Sequence, residues 1–196
     1  MKKLILGNLD FQKNVRPKVL HTFQRLANGQ NPDALFITCC DSRVMPNYLA
    51  STDPGELFVL RNTGNMVPPY DYSDEQQEGM FGESAALEYA INVLKVKDVI
   101  VCGHSGCGAM QAVLNSNATT DLTSVRKWLK LAKASYEKYI TNDFLRFEAG
   151  LPQEDQLSQI NVAQQLSHLM TYPIVRDAVE DEKIALHGWW FNIKDV

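Results

Sequence analysis

The chain lacks the features that would send it into a membrane or onto a charged polymer. No stretch approaches the roughly 20 consecutive apolar residues of a membrane span. The opening MKKLILGNLDF has only Leu4, Ile5 and Leu6 before Gly7 and Asn8, too short a run for the core of a signal peptide. Lysine and arginine form no block and the net charge is −4, so neither nucleic acid nor an anionic membrane surface has a basic footprint to meet. A cytoplasmic protein with a small-molecule partner is the expectation. No Gly/Ser/Pro-rich linker divides the 196 residues, which predicts a single domain over 1–196. Cysteine is scarce: Cys39, Cys40, Cys102 and Cys107, with no C-x-x-C pair. In a reducing compartment such residues are thiols or metal ligands more often than disulfides, and the vicinal Cys39-Cys40 makes a poor redox pair, because neighbours on a strand point apart.

What is present alternates between two periods. Phe11, Val15, Val19, Phe23 and Leu26 recur at helical spacing, so a helix is predicted over 11–28, with Asp10 as its cap and Gly29 as its stop. ALFITC (34–39) is uniformly apolar and β-branched in part, the pattern of a strand buried on both faces in a parallel sheet. ELFVLR (56–61) follows the turn signal Asp53-Pro54-Gly55, and VKDVIVCG (96–103) makes a third strand. Between them lie an aperiodic loop, 66–82, and a helix over 83–96 with Ser84 as cap and Ala86, Ala90 and Val93 on one face. Helices are further predicted from Ser124 to Ile140 and from Asn161 to Met170, and a last strand over 184–193. This alternation implies an α/β sandwich of three layers around a mostly parallel sheet, with a C-terminal edge strand.

In such folds ligands gather beyond the carboxyl ends of strands, and two polar, sulfur-bearing segments stand there. In GHSGCG (103–108), His104 and Cys107 are spaced to reach one ion from a strand-to-helix turn. A buried cysteine beside a turn histidine would leave the same pattern. With Cys39 as a third ligand from another strand end, the arrangement is neither a finger nor a ribbon, and it leaves a fourth position free, as a catalytic metal requires. After Cys39, an extended chain would turn Asp41 and Arg43 to the same side and Cys40 and Ser42 away, Cys40 being packed.

C-x-D-x-R in CCDSR (39–43), followed by H-x-x-C in HSGC (104–107), resembles the β-class carbonic anhydrases, and more closely their plant-type branch. GQNPDALFITC, PGELFVLRNTGNMVPPYD, ESAALEYAINVLKVKDVIVCGHSGCGAM and IALHGWWFNI match the family in the same order. The resemblance implies one Zn²⁺ per chain on Cys39, His104 and Cys107, with hydroxide on the metal attacking CO₂ to give bicarbonate. It implies that Asp41 orients that nucleophile while Arg43 keeps Asp41 off the metal, Asp41 becoming a fourth ligand only in an inactive state. It implies substrate contacts from Gln30, Phe58 and Tyr89 and from the amide of Gly108. It also implies a homodimer, open to higher association, in which the helical arm 1–30 packs on the partner and Gln30, Phe58 and Tyr89 serve the neighbour's zinc.

Some relatives bind a regulatory bicarbonate through Trp, Arg and Tyr where this chain has Phe36, Arg61 and Phe191, so no such pocket is expected. Hydrolysis of CS₂ or COS on the same zinc is the alternative activity, and a non-catalytic zinc protein a weaker one. His21, His168 and His187 are proton-shuttle candidates by residue type alone. The frame C-x-D-x-R makes the two adjacent cysteines unequal. Cys40→Ser should retain metal and activity and Cys39→Ser should lose both, as metal analysis and a rate measurement on the two variants will show.

Overall fold

The computed structural model describes residues 1–70, 81–141 and 150–195. Its sheet has the order β2-β1-β3-β4, formed by β1 (Ala34–Cys39), β2 (Leu57–Asn62), β3 (Asp98–His104) and β4 (Ala185–Phe191). All pairings are parallel. β1, between β2 and β3, is buried at every position, as its unbroken apolar run predicts. β2 and β4 lie at the edges and are only partly covered.

The helices are α1 (Lys2–Asp10), α2 (Arg16–Leu26), α3 (Pro46–Leu49), α4 (Phe81–Glu88), α5 (Gly108–Leu114), α6 (Thr123–Trp128), α7 (Lys133–Thr141), α8 (Gln153–Leu169) and α9 (Pro173–Glu180). One face of the sheet presents Leu35, Ile37, Val99 and Val101 to Leu87, Ala90, Ile91, Leu94, Val162 and Leu169, among others. On the opposite face Phe36, Ile100 and Cys102 meet Leu49, Leu57 and Phe191. Flanking helices on a parallel sheet are thus the architecture the alternating pattern predicts.

Several elements differ from their predicted bounds. The N-terminal helix starts at Lys2, runs through a π-helical stretch (Phe11–Val15) and continues into α2. Asp10 is inside it, accepting from Asn14 Nδ2 at 2.6 Å rather than capping. Its apolar stripe is not buried: Leu4 is 71% and Phe23 48% exposed. In α4 and the π-helical stretch Tyr89–Leu94 the inward residues are Leu87, Ala90, Ile91 and Leu94, while Val93 is 60% exposed. The buried face is rotated from that predicted because the larger Leu and Ile side chains, not the alanines, decide which stripe is worth burying. Ser84 lies within α4 and pairs with the Tyr172 hydroxyl instead of capping.

The segment predicted over Ser124 to Ile140 is split into α6 and α7 by a 3₁₀ turn (Leu129–Ala132). Helix α8 begins at Gln153 rather than Asn161, α5 follows the turn expected after His104 and Cys107, and α9 lies outside the predicted elements. Of the predicted loop 66–82, residues 71–80 lie outside the described residues, and Met66 and Val67 are buried.

Contact between α8 and the sheet is close because two positions have no side chain. A Cβ on Gly103 would stand 2.7 Å from Val162 Cγ2 and 3.1 Å from Ser158 Oγ, and one on Gly188 would stand 3.0 Å from Val162 Cγ1. Gly103→Ala should therefore force α8 away from β3 and destabilise the fold by about 1–3 kcal/mol, read as a lower midpoint in urea denaturation. An unchanged midpoint would mean that this contact gives way freely.

Candidate metal centre

The topology produces the site. The chain leaves β1 toward β2 on one side and β3 toward β4 on the other, so the carboxyl ends of β1 and β3 border the switch point of the sheet. β1 and β3 pair with Thr38 opposite Cys102. Cys39 and His104, each the last residue of its strand, therefore emerge side by side. The tight turn Ser105-Gly106, with Gly106 at φ +59°, then returns Cys107 to the same place as the residue before α5. The sulfurs of Cys39 and Cys107 and a ring nitrogen of His104 all lie within 4.8 Å of one another, and all three residues are buried. Ligand atoms at tetrahedral zinc distances would be about 3.7 Å apart, so little closure is needed.

The donor chemistry fits a thiophilic divalent metal. His104 Nδ1 lies 2.9 Å from the Ser105 carbonyl, which can only accept, so Nδ1 carries the proton and Nε2 is left with its lone pair. Nε2 is buried without a hydrogen-bond partner among the described residues, a costly state for a polar atom unless a metal takes it. Cys39 Sγ receives the Gly64 N–H at 3.4 Å, and the neighbouring main-chain N–H groups, of Asp41 for Cys39 and of Ala109 and Met110 for Cys107, favour the thiolate forms. The thiols titrate as a pair: the contact with Cys107 draws Cys39 well below its ordinary value, and the same contact, with burial, pushes Cys107 up. One negative charge thus forms readily, and a cation would stabilise the second.

Beside the cluster, Arg43 grips Asp41 through a fork. Nε donates to Oδ1 at 2.9 Å and Nη2 to Oδ2 at 2.7 Å, while the Arg43 main-chain N–H adds a third bond to Oδ1 at 3.0 Å. That fork holds the Asp41 carboxyl far below the usual carboxylate range. Nη2 also donates to the Gly106 carbonyl at 3.1 Å, across to the loop bearing His104 and Cys107.

The expected alternation is not what brings these residues together. The chain turns after Cys39, with Val44 N–H on the Asp41 carbonyl, and the Asp41 side chain closes the turn on the Arg43 N–H. Cys40, expected to be packed, is exposed and lies 3.7 Å from the Thr63 hydroxyl, because this turn carries it out of the sheet.

The substrate residues divide into two groups. Gly108 opens α5 next to Cys107 and lines a cavity of about 480 Å³ with Thr63, Ala112 and Asn115. Gln30, Phe58 and Tyr89 are elsewhere. Phe58 pairs with Leu35, at the opposite end of β1 from Cys39, and its ring stacks at a tilt on Tyr89, centroids 5.8 Å apart. Tyr89 is 43% exposed and Gln30 lies in the exposed turn after α2.

Arg61 is engaged within the chain, donating to the carbonyls of Cys39 (3.1 Å) and Asp41 (2.7 Å). Phe36 is buried edge-on against Trp189. His187 is bound to Asp98 at 2.7 Å, and His168, pulled below its ordinary value by burial, donates to the Val67 carbonyl.

Residues that the motifs did not single out support this centre from α8. Asp155 accepts the Gly106 N–H at 2.6 Å, Ser158 donates to the His104 carbonyl at 3.0 Å, and Asn161 donates to the Gly64 carbonyl at 3.0 Å. Gln165 links Asn161 to the Val67 N–H. Their spacing was the available signal, since 155, 158, 161, 165 and 168 fall on one helical face, but a polar stripe ordinarily faces solvent.

Two sulfurs and one imidazole nitrogen at the switch point of a parallel sheet, beside an arginine-held carboxylate, define an α/β metal-binding enzyme of a recognisable class. A family model described as carbonic anhydrase matches residues 34–196. The carbonic anhydrase of Pseudomonas aeruginosa is 43% identical over 194 residues, covering 99% of this chain and 84% of that protein. Among solved structures, the beta-carbonic anhydrase CcaA gives a TM-score of 0.88 at 36% identity and covers 100% of this chain and 84% of that one. One of two tetrameric beta-carbonic anhydrases from Sordaria macrospora gives 0.81 at 29% identity, covering 98% and 92%. The chain belongs to the carbonic anhydrase family, in its beta class, and is a lyase.

Proposed function

We propose that the chain interconverts CO₂ and bicarbonate with one Zn²⁺ held by Cys39, His104 and Cys107, and that it falls in the plant-type branch of the class. The observation that carries this reading is the orphaned His104 Nε2 beside two sulfurs, all within 4.8 Å. When bound, the zinc supplies a Lewis acid that makes water a nucleophile near neutral pH. The remaining work falls to Asp41 and Arg43. A carboxylate has about four acceptor sites. Oδ1 uses two, on Arg43 Nε and the Arg43 main-chain N–H, and Oδ2 uses one, on Nη2. Oδ2 thus keeps an acceptor direction for the O–H of the attacking water. Because Arg43 holds the Asp41 carboxyl far below the usual carboxylate range, this acceptor does not become a donor even where free carboxylates protonate. The same fork restrains Asp41 from turning onto the metal as a competing ligand.

Zinc analysis and stopped-flow CO₂ hydration test the reading. One zinc per chain and catalysed hydration are expected, with Arg43→Ala keeping its zinc, losing about 100-fold in rate and showing Asp41 turned toward the ligand cluster in a crystal. Full activity in that variant overturns the role of the pair. A zinc-loaded chain that ignores CO₂ but hydrolyses CS₂ or COS selects the alternative substrate class, and one inert to all three is a zinc-binding protein only.

We also propose a cytoplasmic homodimer of one domain per chain, in which the arm 1–30 lies on the partner and Gln30, Phe58 and Tyr89 complete the partner's pocket. Two facts support it: the arm exposes Leu4, Ile5, Leu6 and Leu9, each more than half accessible, and Phe58 and Tyr89 form an accessible aromatic pair remote from the chain's own cluster. Apolar surface of that extent ordinarily finds a cover. Sedimentation should give a dimer or a multiple of it, and a monomer with full activity would exclude shared pockets.

A further inference from the structure

The Asp41–Arg43 pair only partly positions itself. Its members are two residues apart in one turn, where the Arg43 main-chain N–H fixes Asp41 Oδ1, but the Arg43 side chain is 51% accessible, so the guanidinium and Oδ2 could still tilt about that bond. What ties it to the metal-bearing loop is the bond from Nη2 to the Gly106 carbonyl. The orientation of the Asp41 carboxylate therefore depends on where Gly106 is held.

Gly106 is held from the other side. Its N–H donates to Asp155 Oδ1 at 2.6 Å, and Asp155 is a carboxylate only 6% exposed in the first turn of α8. The glycine's left-handed φ of +59° lets its N–H turn toward α8 while its carbonyl turns toward Arg43. The helix that carries Asp155 is itself locked. It seats against Gly103 through Val162, and its next turns bind the His104 carbonyl through Ser158 and the Gly64 carbonyl through Asn161. A buried acid is costly to keep unless its bond is useful, and here it accepts from a main-chain N–H on the loop between His104 and Cys107.

We propose that Asp155 is a positioning residue for the reaction: by clamping Gly106 it sets the place of the Arg43 guanidinium and, through it, the direction of the Asp41 carboxylate. This rests on the reading of Asp41 and Arg43 as the catalytic pair. Asp155 touches neither substrate nor metal ligand side chains, so its effect is on the turnover step rather than on affinity.

Asp155→Ala, Asp155→Asn and Asp155→Glu in the full-length zinc-loaded protein test it, with kcat and KM for CO₂, zinc content, and hydrogen exchange at the Gly106 amide as readouts. Asp155→Ala should speed Gly106 exchange at least about tenfold and lower kcat about ten- to 100-fold, with KM and zinc content unchanged. Asp155→Asn, which keeps an acceptor oxygen, should recover most of both. Should the alanine variant not fold, Asp155→Glu, which keeps the charge but shifts the oxygen, should show the same kcat loss with normal zinc.

Faster exchange with undiminished kcat overturns the proposal, as does a kcat loss that tracks zinc loss, or an asparagine variant no better than alanine. Arg43→Ala separates the two levels. Full activity there removes the catalytic pair, whereas unchanged Gly106 exchange in Asp155→Ala removes the clamp and leaves the pair standing.

Discussion

The parallel pairing of β1 with β3 is the constraint on which the rest of the structure depends. Hydrogen bonds along that ladder hold Thr38 opposite Cys102, so Cys39 and His104 leave the sheet at adjacent strand ends, with their ligand atoms within 4.8 Å. A slip of one residue would turn every side chain on the strand to the other face. It would shift Cys39 from its place beside the end of β3 and take Leu35 and Ile37 out of the core they share with Val99 and Val101. Burial of those four apolar residues thus sets the register that builds the metal centre, and stability and site geometry are enforced by the same contacts.

Electrostatics at the centre follows from that placement. Two buried thiols and an imidazole hold negative charge at a cost that the Gly64 N–H on Cys39 Sγ offsets in part and that a divalent cation would offset further. Asp41 adds a further negative charge beside them, which alone would compete for the metal. Arg43 resolves this locally: its fork neutralises the carboxylate while leaving one acceptor direction unused. The cluster therefore has a carboxylate beside it that is held by Arg43 rather than turned onto the sulfurs and imidazole.

Holding such loops in place falls largely to α8, whose inner face is unusual in carrying Asp155, Ser158, Asn161, Gln165 and His168 among its apolar residues. Each is buried and bonded to main chain or to another member of the row. Loops that are buried cannot satisfy their N–H and carbonyl groups with water, and the helix supplies what water would. An apolar face on α8 would pack the sheet as well but leave the loops carrying the ligands unanchored.

The sequence by itself determined the four strands, to within a residue or two, and the parallel sheet, because β1 and β3 are short uniform apolar runs whose pattern admits few alternatives. It also put forward Cys39, His104 and Cys107 as ligands and Asp41 and Arg43 as a pair, because these residue types have few other uses together at strand ends, and the fold brings the three ligand atoms within 4.8 Å and joins the pair by a fork. Only the tertiary structure decided the roles of Asp155 and the α8 row, since a polar stripe reads as a solvent face until a buried loop is laid against it. It alone placed Gln30, Phe58 and Tyr89 away from the chain's own cluster, a separation that depends on the register of β2 against β1 and not on spacing along the chain. The turn that exposes Cys40 was likewise beyond reach of an alternation rule: the Arg43 and Val44 N–H groups donate to the Asp41 side chain and carbonyl and end the extended conformation after Cys39, and local bonding of that kind outweighs the strand's period as soon as the ladder stops.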